Sequence, residues 1–278
     1  MPEGHTLHRL ADALTGTFGG TRVSVSSPQG RFAESAEALD GAVVEGAQAW
    51  GKHLFVDFGA DRVVHVHLGL YGKFDVVTGP TRPPVGQVRL RIASGGTAVA
   101  DLRGATTCTL ITHAEQDAIT EQLGPDPLRD DADPARAWSR LSRSRSALAL
   151  LLTDQSVVAG VGNVYRAELM FRHRLGPFLP GVTIRRREWT ALWDDLVTLM
   201  HEGFRTGRID TVRPEHEPEF MGRPARKDQH GGEVYVYRRN GQPCWVCGTR
   251  VRTQVVAGRN LFWCPRCQRS RRTVPARR

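Results

Sequence analysis

Four of the five cysteines fall near the end of the 278-residue chain as Cys244-x2-Cys247, sixteen residues, then Cys264-x2-Cys267. Two knuckles of this spacing can place four soft thiolates around one tetrahedral ion, and zinc is the ion such sites take. A segment this short cannot bury a core of its own, so one structural zinc ion would supply its folding energy. Two disulfides or four free thiols are the alternatives, but nothing in the sequence points to an oxidising compartment. Between the knuckles, TRVRTQVVAGRNLFW (249–263) has two strand-like runs flanking Ala257-Gly258-Arg259-Asn260. This reads as a β-hairpin whose tip presents Arg259, either as a phosphate contact or as a solvated turn residue. The fifth cysteine, Cys108, lies in an alternating strand pattern and reads as a buried, inert thiol.

The formal net charge is +9, which points to a polyanionic partner, nucleic acid first among them. Of 38 basic residues only Lys52, Lys73 and Lys227 are lysines. The bias reflects nucleotide composition as much as chemistry, but it marks the surviving lysines as candidates for a role in which a compact ammonium matters. No apolar run has the length a membrane span needs, and no charged-then-apolar leader is present. A cytoplasmic protein is expected, nucleoid-associated when engaged, with its N-terminus used as made apart from Met1.

Leu7, Leu10, Ala11, Leu14 and Phe18 recur at helical spacing, which predicts a helix over 3–18 stopped by Gly19-Gly20. From Val23 to about Ile111 the pattern changes to strands separated by Gly and Pro. VVHVHL (63–68) puts Val64, Val66 and Leu68 on one face and leaves His65 and His67 on the other, read as wet. QVRLRI (87–92) sets Val88, Leu90 and Ile92 against Gln87, Arg89 and Arg91. Such alternation belongs to antiparallel strands with one packed face. The expected first domain is a two-sheet β-sandwich with a leading helix, residues 1–123. GPDPLRDDADPAR (124–136) reads as the boundary. Helical segments follow over 124–232, with Leu148, Leu151 and Leu152 as core candidates, a turn carrying Gly160, Gly162 and Asn163, a helix from about Val164 and another over 188–203. The cysteine hairpin and a basic tail, RRTVPARR, occupy 233–278. The fold class is α+β, multidomain.

The opening MPEGHTLHRL supports two readings. Pro suits the first turn of a helix, and Glu there suits the dipole. With Met1 removed, however, Pro2 carries a free secondary amine. An α-amine titrates near 8, and the positive end of a helix dipole lowers that further. Such an amine can attack a sugar aldehyde carbon and form a Schiff base, with Glu3 in reach as acid or base.

MPEG at the terminus, GKHLF (51–55), GVGNVYRAE (160–168) and the cysteine pattern form one ordered set from residue 2 to residue 267. Together they resemble the formamidopyrimidine-DNA glycosylase/endonuclease VIII family of bifunctional base-excision repair enzymes. Met-Pro-Glu-Gly resembles the endonuclease VIII branch, and MPEGHTLHRLA its actinobacterial members. The resemblance implies a helix–two-turn–helix domain after the sandwich, ending in the four-Cys zinc-finger hairpin. It implies that Pro2 is the nucleophile at C1′ of a damaged nucleotide and Glu3 the acid/base at the sugar ring oxygen. Lys52 would hold phosphate beside the lesion, and Asn163 and Arg259 would grip the backbone around the flipped nucleotide. On HLGLYGKF (67–74), Leu70 and Tyr71 match residues that fill the gap left in the stack, while Gly69 stands where a larger side chain occurs in a better-known member.

The implied activity is DNA glycosylase plus abasic-site lyase with elimination on both sides of the sugar, acting as a monomer on damaged DNA in duplex or single-stranded context. In DLRGATTC (101–108), Arg103 matches an arginine of the formamidopyrimidine branch but no aromatic follows. That argues for oxidised pyrimidines rather than 8-oxoguanine opposite cytosine. A formamidopyrimidine-type purine specificity and a DNA clamp without chemistry are the alternatives. His5 and His8 receive no role, and His201-Glu202 reads as helix surface.

Overall fold

The computed structural model describes residues 2–227 and 232–269, so the basic tail lies outside the described residues. The chain divides into two compact units, Met1–Leu123 and Gly124–Arg278.

In the first unit, α1 (Gly4–Phe18) leads, and the apolar spacing buries Leu7, Leu10, Leu14 and Phe18 on one face. Glu3 is its N-cap rather than its first residue. Short strands β1 (Thr21–Arg22) and β3 (Val43–Val44) pair beside it, with α2 (Ala33–Leu39) between them in sequence. One antiparallel sheet has the order β10-β6-β5-β4, from β10 (Thr107–Ile111), β6 (Val63–His67), β5 (His53–Asp57) and β4 (Gly46–Trp50). The other has the order β2-β8-β9-β7, from β2 (Ser24–Ser26), β8 (Val88–Ser94), β9 (Ala98–Arg103) and β7 (Lys73–Thr78). Leu54, Val56, Val64 and Val66 of the first sheet share one apolar core with Leu90, Ile92, Ala100 and Leu102 of the second and with α1. This is the expected sandwich. Cys108 is buried in that core, and burial pushes its thiol up to about 12, so it is inert near neutral pH.

The reading of a wet outer face needs correcting at two places. His65 is only 7 % exposed, because its ring lies between Phe55 and His53, with centroids 5.1 Å from each. Arg91 is also buried, against Asp101 at 3.5 Å. A strand face can carry polar residues and still be covered when the neighbouring strand supplies partners for them.

After α3 (His113–Glu121), the second unit begins on the polar stretch, which is packed rather than loose. Gly124 N–H donates to Gln155 O at 2.8 Å, Pro125 O accepts from Ala159 N–H at 3.1 Å, and Asp126 is buried. Helices α4 (Pro134–Leu141), α5 (Leu148–Leu151), α6 (Asn163–Arg172) and α7 (Arg186–Thr206) form its core, followed by the short α8 (Pro218–Met221). Leu148, Leu151 and Leu152 are buried as expected. The hairpin strands β11 (Arg252–Val256) and β12 (Arg259–Trp263) are joined at Ala257-Gly258, both with positive φ. Val251, Leu261, Phe262, Cys244 and Cys264 share the apolar cluster of the helices, so the finger is part of this unit's core.

A buried carboxylate fixes the approach to the finger. Glu168 on α6 accepts from Tyr235 N–H at 2.6 Å, Val236 N–H at 2.9 Å, Tyr237 N–H at 2.8 Å and Thr211 Oγ1 at 2.7 Å. Four donors converge on one anion, which offsets the cost of burying it.

Candidate reactive terminus and nucleic-acid interface

Pro2 is half-buried and lies just ahead of α1. Glu3 has extended backbone (φ −120°, ψ 176°), and its carbonyl accepts from Thr6 N–H at 2.9 Å. Its side chain is fully buried yet does not cap the helix. The helix start therefore does not account for that carboxylate, which follows Pro2 directly. His5, in the first turn, is buried as well. Burial, then the charges of Arg9 and His8, push its pKa down to about 4 and keep it neutral.

The far end of the same helix is tied down. Thr15 Oγ1 accepts from Ala47 N–H at 2.8 Å at the start of β4, and α1 packs along β4 and β5. With a rise of about 1.5 Å per residue, this directs the N-terminal end toward the β4–β5 turn. That turn is Gly51-Lys52, with Gly51 at φ +59°.

Across β5 and β6, His53 stands opposite His67. The Lys52 turn and the 68–72 turn are therefore at one end of one sheet. The rings of His53, His65 and His67 form a ladder there. His53 Nδ1 and His65 Nε2 are 2.9 Å apart, and His67 meets His53 edge-on at 5.2 Å. Burial, then the neighbouring imidazoles and Lys52, push His53 down to about 3. Burial and His67 push His65 down to about 4, and burial with the Lys52 charge lowers His67. The ladder is neutral at physiological pH and lies close enough to Lys52 to feel its ammonium. Leu70 and Tyr71 follow in the 68–72 turn, 54 % and 86 % exposed. Large apolar side chains this exposed on a basic protein fit contact with bases.

Arg103 is held within its own sheet. Its guanidinium donates to Asp101 Oδ2 at 2.8 Å, Asp75 Oδ2 at 3.3 Å and Val85 O at 2.9 Å.

In the second unit, Asn163 opens α6 and is buried at its N-terminus, one residue before the expected start. Its Nδ2 donates to Asn260 O at 2.8 Å, and Arg166 bonds both Asn163 Oδ1 and Asn260 O. Asn163 and Arg259 are thus brought together: one anchors the hairpin, and the other stands exposed at its tip beside the anchored residue. A helix N-terminus beside an exposed guanidinium is suited to phosphate.

The four thiols converge. One sulfur from each of Cys244, Cys247, Cys264 and Cys267 lies within 4.8 Å of all the others, with Cys247–Cys264 at 3.5 Å and Cys244–Cys267 at 3.9 Å. Four sulfurs about 2.3 Å from a central zinc stand roughly 3.8 Å apart, so the set fits that ion and one ion only. The cysteines are not paired as disulfides.

Sequence reasoning missed the histidine ladder and the Glu168 cage. The ladder's signal was the repeat of His at 53, 65 and 67, legible only once the β5–β6 register is known. Glu168 closes the GVGNVYRAE segment, but nothing local showed what it binds.

Comparison with known proteins places these features in one family. Residues 1–108 match the formamidopyrimidine-DNA glycosylase N-terminal domain, 123–213 its H2TH domain, and 241–269 the zinc finger found in FPG and IleRS. Endonuclease 8 1 of Mycobacterium tuberculosis (strain H37Rv) is 54% identical over 275 residues, covering 96% of this chain and 100% of the relative. The DNA-(apurinic or apyrimidinic site) lyase Nei2 of Mycolicibacterium smegmatis is 31% identical over 278 residues, covering 96% and 99%. Among solved structures, the MutM (FPG) protein of Thermus thermophilus superposes with a TM-score of 0.74 at 26% identity, covering 96% of this chain and 98% of that one. The chain belongs to the formamidopyrimidine-DNA glycosylase/endonuclease VIII family, in its endonuclease VIII branch.

Proposed function

We propose that this chain is a bifunctional DNA glycosylase and abasic-site lyase of base-excision repair that removes oxidised bases, chiefly pyrimidines, through a Schiff base at Pro2. The observation that carries the reading is the buried Glu3 carboxylate directly following Pro2 at the start of α1. The family membership and the names of the endonuclease 8 and Nei2 lyase relatives support it.

The target base is unreachable inside a duplex and must be flipped out. With Met1 removed, the Pro2 amine attacks C1′ as the glycosidic bond breaks and the base leaves with its electron pair. Glu3 delivers a proton to the ring oxygen, the sugar opens, and an iminium forms between Pro2 and C1′. Loss of a C2′ proton expels the 3′ phosphate, and a second elimination expels the 5′ phosphate. Water then releases the sugar remnant from Pro2. Lys52, Arg259 and the α6 N-terminus opened by Asn163 contact backbone phosphates and so position the duplex without reading its sequence, while the Asn163 amide holds the hairpin through Asn260. Leu70 and Tyr71 fill the gap, offsetting a few kcal/mol of unstacking.

The pyrimidine preference rests on Arg103. Tied to Asp101 and Asp75, it is poorly placed to read an opposite cytosine. The test is a set of duplexes carrying an oxidised pyrimidine, 8-oxoguanine opposite cytosine, or an abasic site. Faster excision of the pyrimidine, with a one-nucleotide gap bearing phosphate at both ends, is expected. Faster excision of 8-oxoguanine would overturn the preference, and tight binding without cleavage of any duplex would leave a DNA clamp.

A further inference from the structure

We propose that Thr106 is a positioning residue that braces the Leu70–Tyr71 turn for insertion into the lesion gap; this rests on the glycosylase reading above. The turn is tight: Gly72 N–H donates to Leu68 O at 3.0 Å, and a Cβ at Gly72 would stand 2.2 Å from that oxygen. Leu70 and Tyr71 are carried at its exposed apex. Its base is held from the segment between β9 and β10. Thr106 N–H donates to His67 O at 3.0 Å. Thr106 Oγ1 lies 2.9 Å from His67 O and 3.0 Å from His67 Nδ1. The same Nδ1 accepts from Gly69 N–H at 3.2 Å. An acceptor at Nδ1 places the imidazole proton on Nε2, so the single Thr106 hydroxyl proton has two acceptors on one residue. Thr106, His67 and Gly69 form one hydrogen-bonded unit at the foot of the turn.

The threonine methyl has a second effect. A Cβ at Gly69 would lie 2.5 Å from Thr106 Cγ2, and Gly69 has φ +69°, where side chains are strained. Thr106 occupies the volume that a third filling side chain would need for its first carbon. Gly104 closes the same floor, since a Cβ there would meet Tyr71 O at 3.4 Å. Both the Thr106 methyl and the backbone of Gly69 therefore oppose a side chain there, leaving Leu70 and Tyr71 as the filling residues the turn presents. Thr106 is itself exposed and adds nothing to the sandwich core, so its contacts with the turn are the role the geometry assigns to it.

Thr106→Val removes the hydroxyl and keeps the shape; Thr106→Ser keeps the hydroxyl. Each variant is compared with the unsubstituted chain in single-turnover excision of an oxidised pyrimidine from duplex. A fluorescent base analogue opposite the lesion reports stack filling, and nicking of a single-stranded abasic oligonucleotide, which has no stack to fill, reports the chemistry. For Thr106→Val, duplex excision should fall about tenfold, the effect of one lost hydrogen bond, with a weaker fluorescence response and unchanged single-strand nicking. Thr106→Ser should restore duplex excision. Undiminished duplex excision by Thr106→Val, or an equal loss on both substrates, would overturn the brace while leaving the glycosylase reading intact. An unsubstituted chain that cuts neither substrate would overturn that reading and the brace with it.

Discussion

The two units differ in how they keep polar groups inside, although both bury charge, Arg91 and Asp101 pairing within the sandwich. In the sandwich, the buried titratable rings are neutral: His5, His53 and His65 are pushed down to about 4, 3 and 4. In the helical unit, charges are buried and tied. Glu168 receives four donors, Asp195 is held by Arg172 at 2.6 Å and His173 at 2.9 Å, and Arg239 stacks 3.5 Å over the Trp245 ring. Both units have an apolar core, but the second also fastens a short finger hairpin, and it does so with four converging cysteines, a carboxylate cage and charged pairs. The helical unit should therefore respond more strongly to loss of a metal or a charge.

Metal removal gives the largest expected effect. Structural zinc contributes about 10–16 kcal/mol to small metal-held segments, so a chelator should unfold the hairpin carrying Arg259 and abolish duplex binding. Circular dichroism of the sandwich strands should change little. Full affinity in a demonstrably metal-free protein would remove the claim.

Next is Glu168→Gln. An amide puts an N–H against backbone N–H donors, and leaving such buried donors unmade costs about 3 kcal/mol or more. A lowered denaturation midpoint should be accompanied by weaker DNA binding, because segment 235–237 leads into the finger. An unchanged midpoint would mean that the cage holds nothing.

Asp195 follows. Burial alone would raise its pKa, but hydrogen bonds from His173 and Arg172 outweigh that and hold it at about 2. A depressed carboxylate contributes stability that is present above its unfolded value near 4 and lost as pH falls toward 2, about 2 kcal/mol here. Asp195→Asn should flatten the acid limb of a stability–pH curve.

The smallest effect belongs to the first unit and has the opposite sign. His113 lies between Asp57 at 2.9 Å and Asp61 at 3.0 Å, and hydrogen bonds to those carboxylates raise its pKa. Its contribution is complete below the unfolded histidine value and is lost as pH rises through the raised folded one. His113→Gln should remove a shallow slope on the alkaline side, kept small by exposure. If the two variants altered the same limb, the contrast between the units would fail.

What was legible in the sequence was local. The Cys244-x2-Cys247 and Cys264-x2-Cys267 spacing pointed to the thiol cluster because ligand geometry is set within a few residues. The Leu7–Phe18 periodicity and the Val64-Val66-Leu68 face pointed to the core because each element carries its own pattern. What escaped depends on pairs far apart in the chain. His65 is buried by Phe55 and His53 on the next strand, Arg103 is restrained by Asp75, Thr106 meets Gly69 across a turn, and Glu168 binds a segment almost seventy residues on. The candidate site lay between these cases: its residues could be named from motifs, but the histidine ladder beside Lys52 could not.

The central claim is that Pro2 is the nucleophile. The direct measurement is a borohydride trap on a duplex with one abasic site, followed by mass spectrometry of the peptide that carries the DNA. The account predicts an adduct on the Pro2 amine, with Met1 absent, and its loss in Pro2→Gly under conditions where duplex binding persists. No adduct from a protein with a processed N-terminus and normal DNA binding, or an adduct on a lysine, would contradict it.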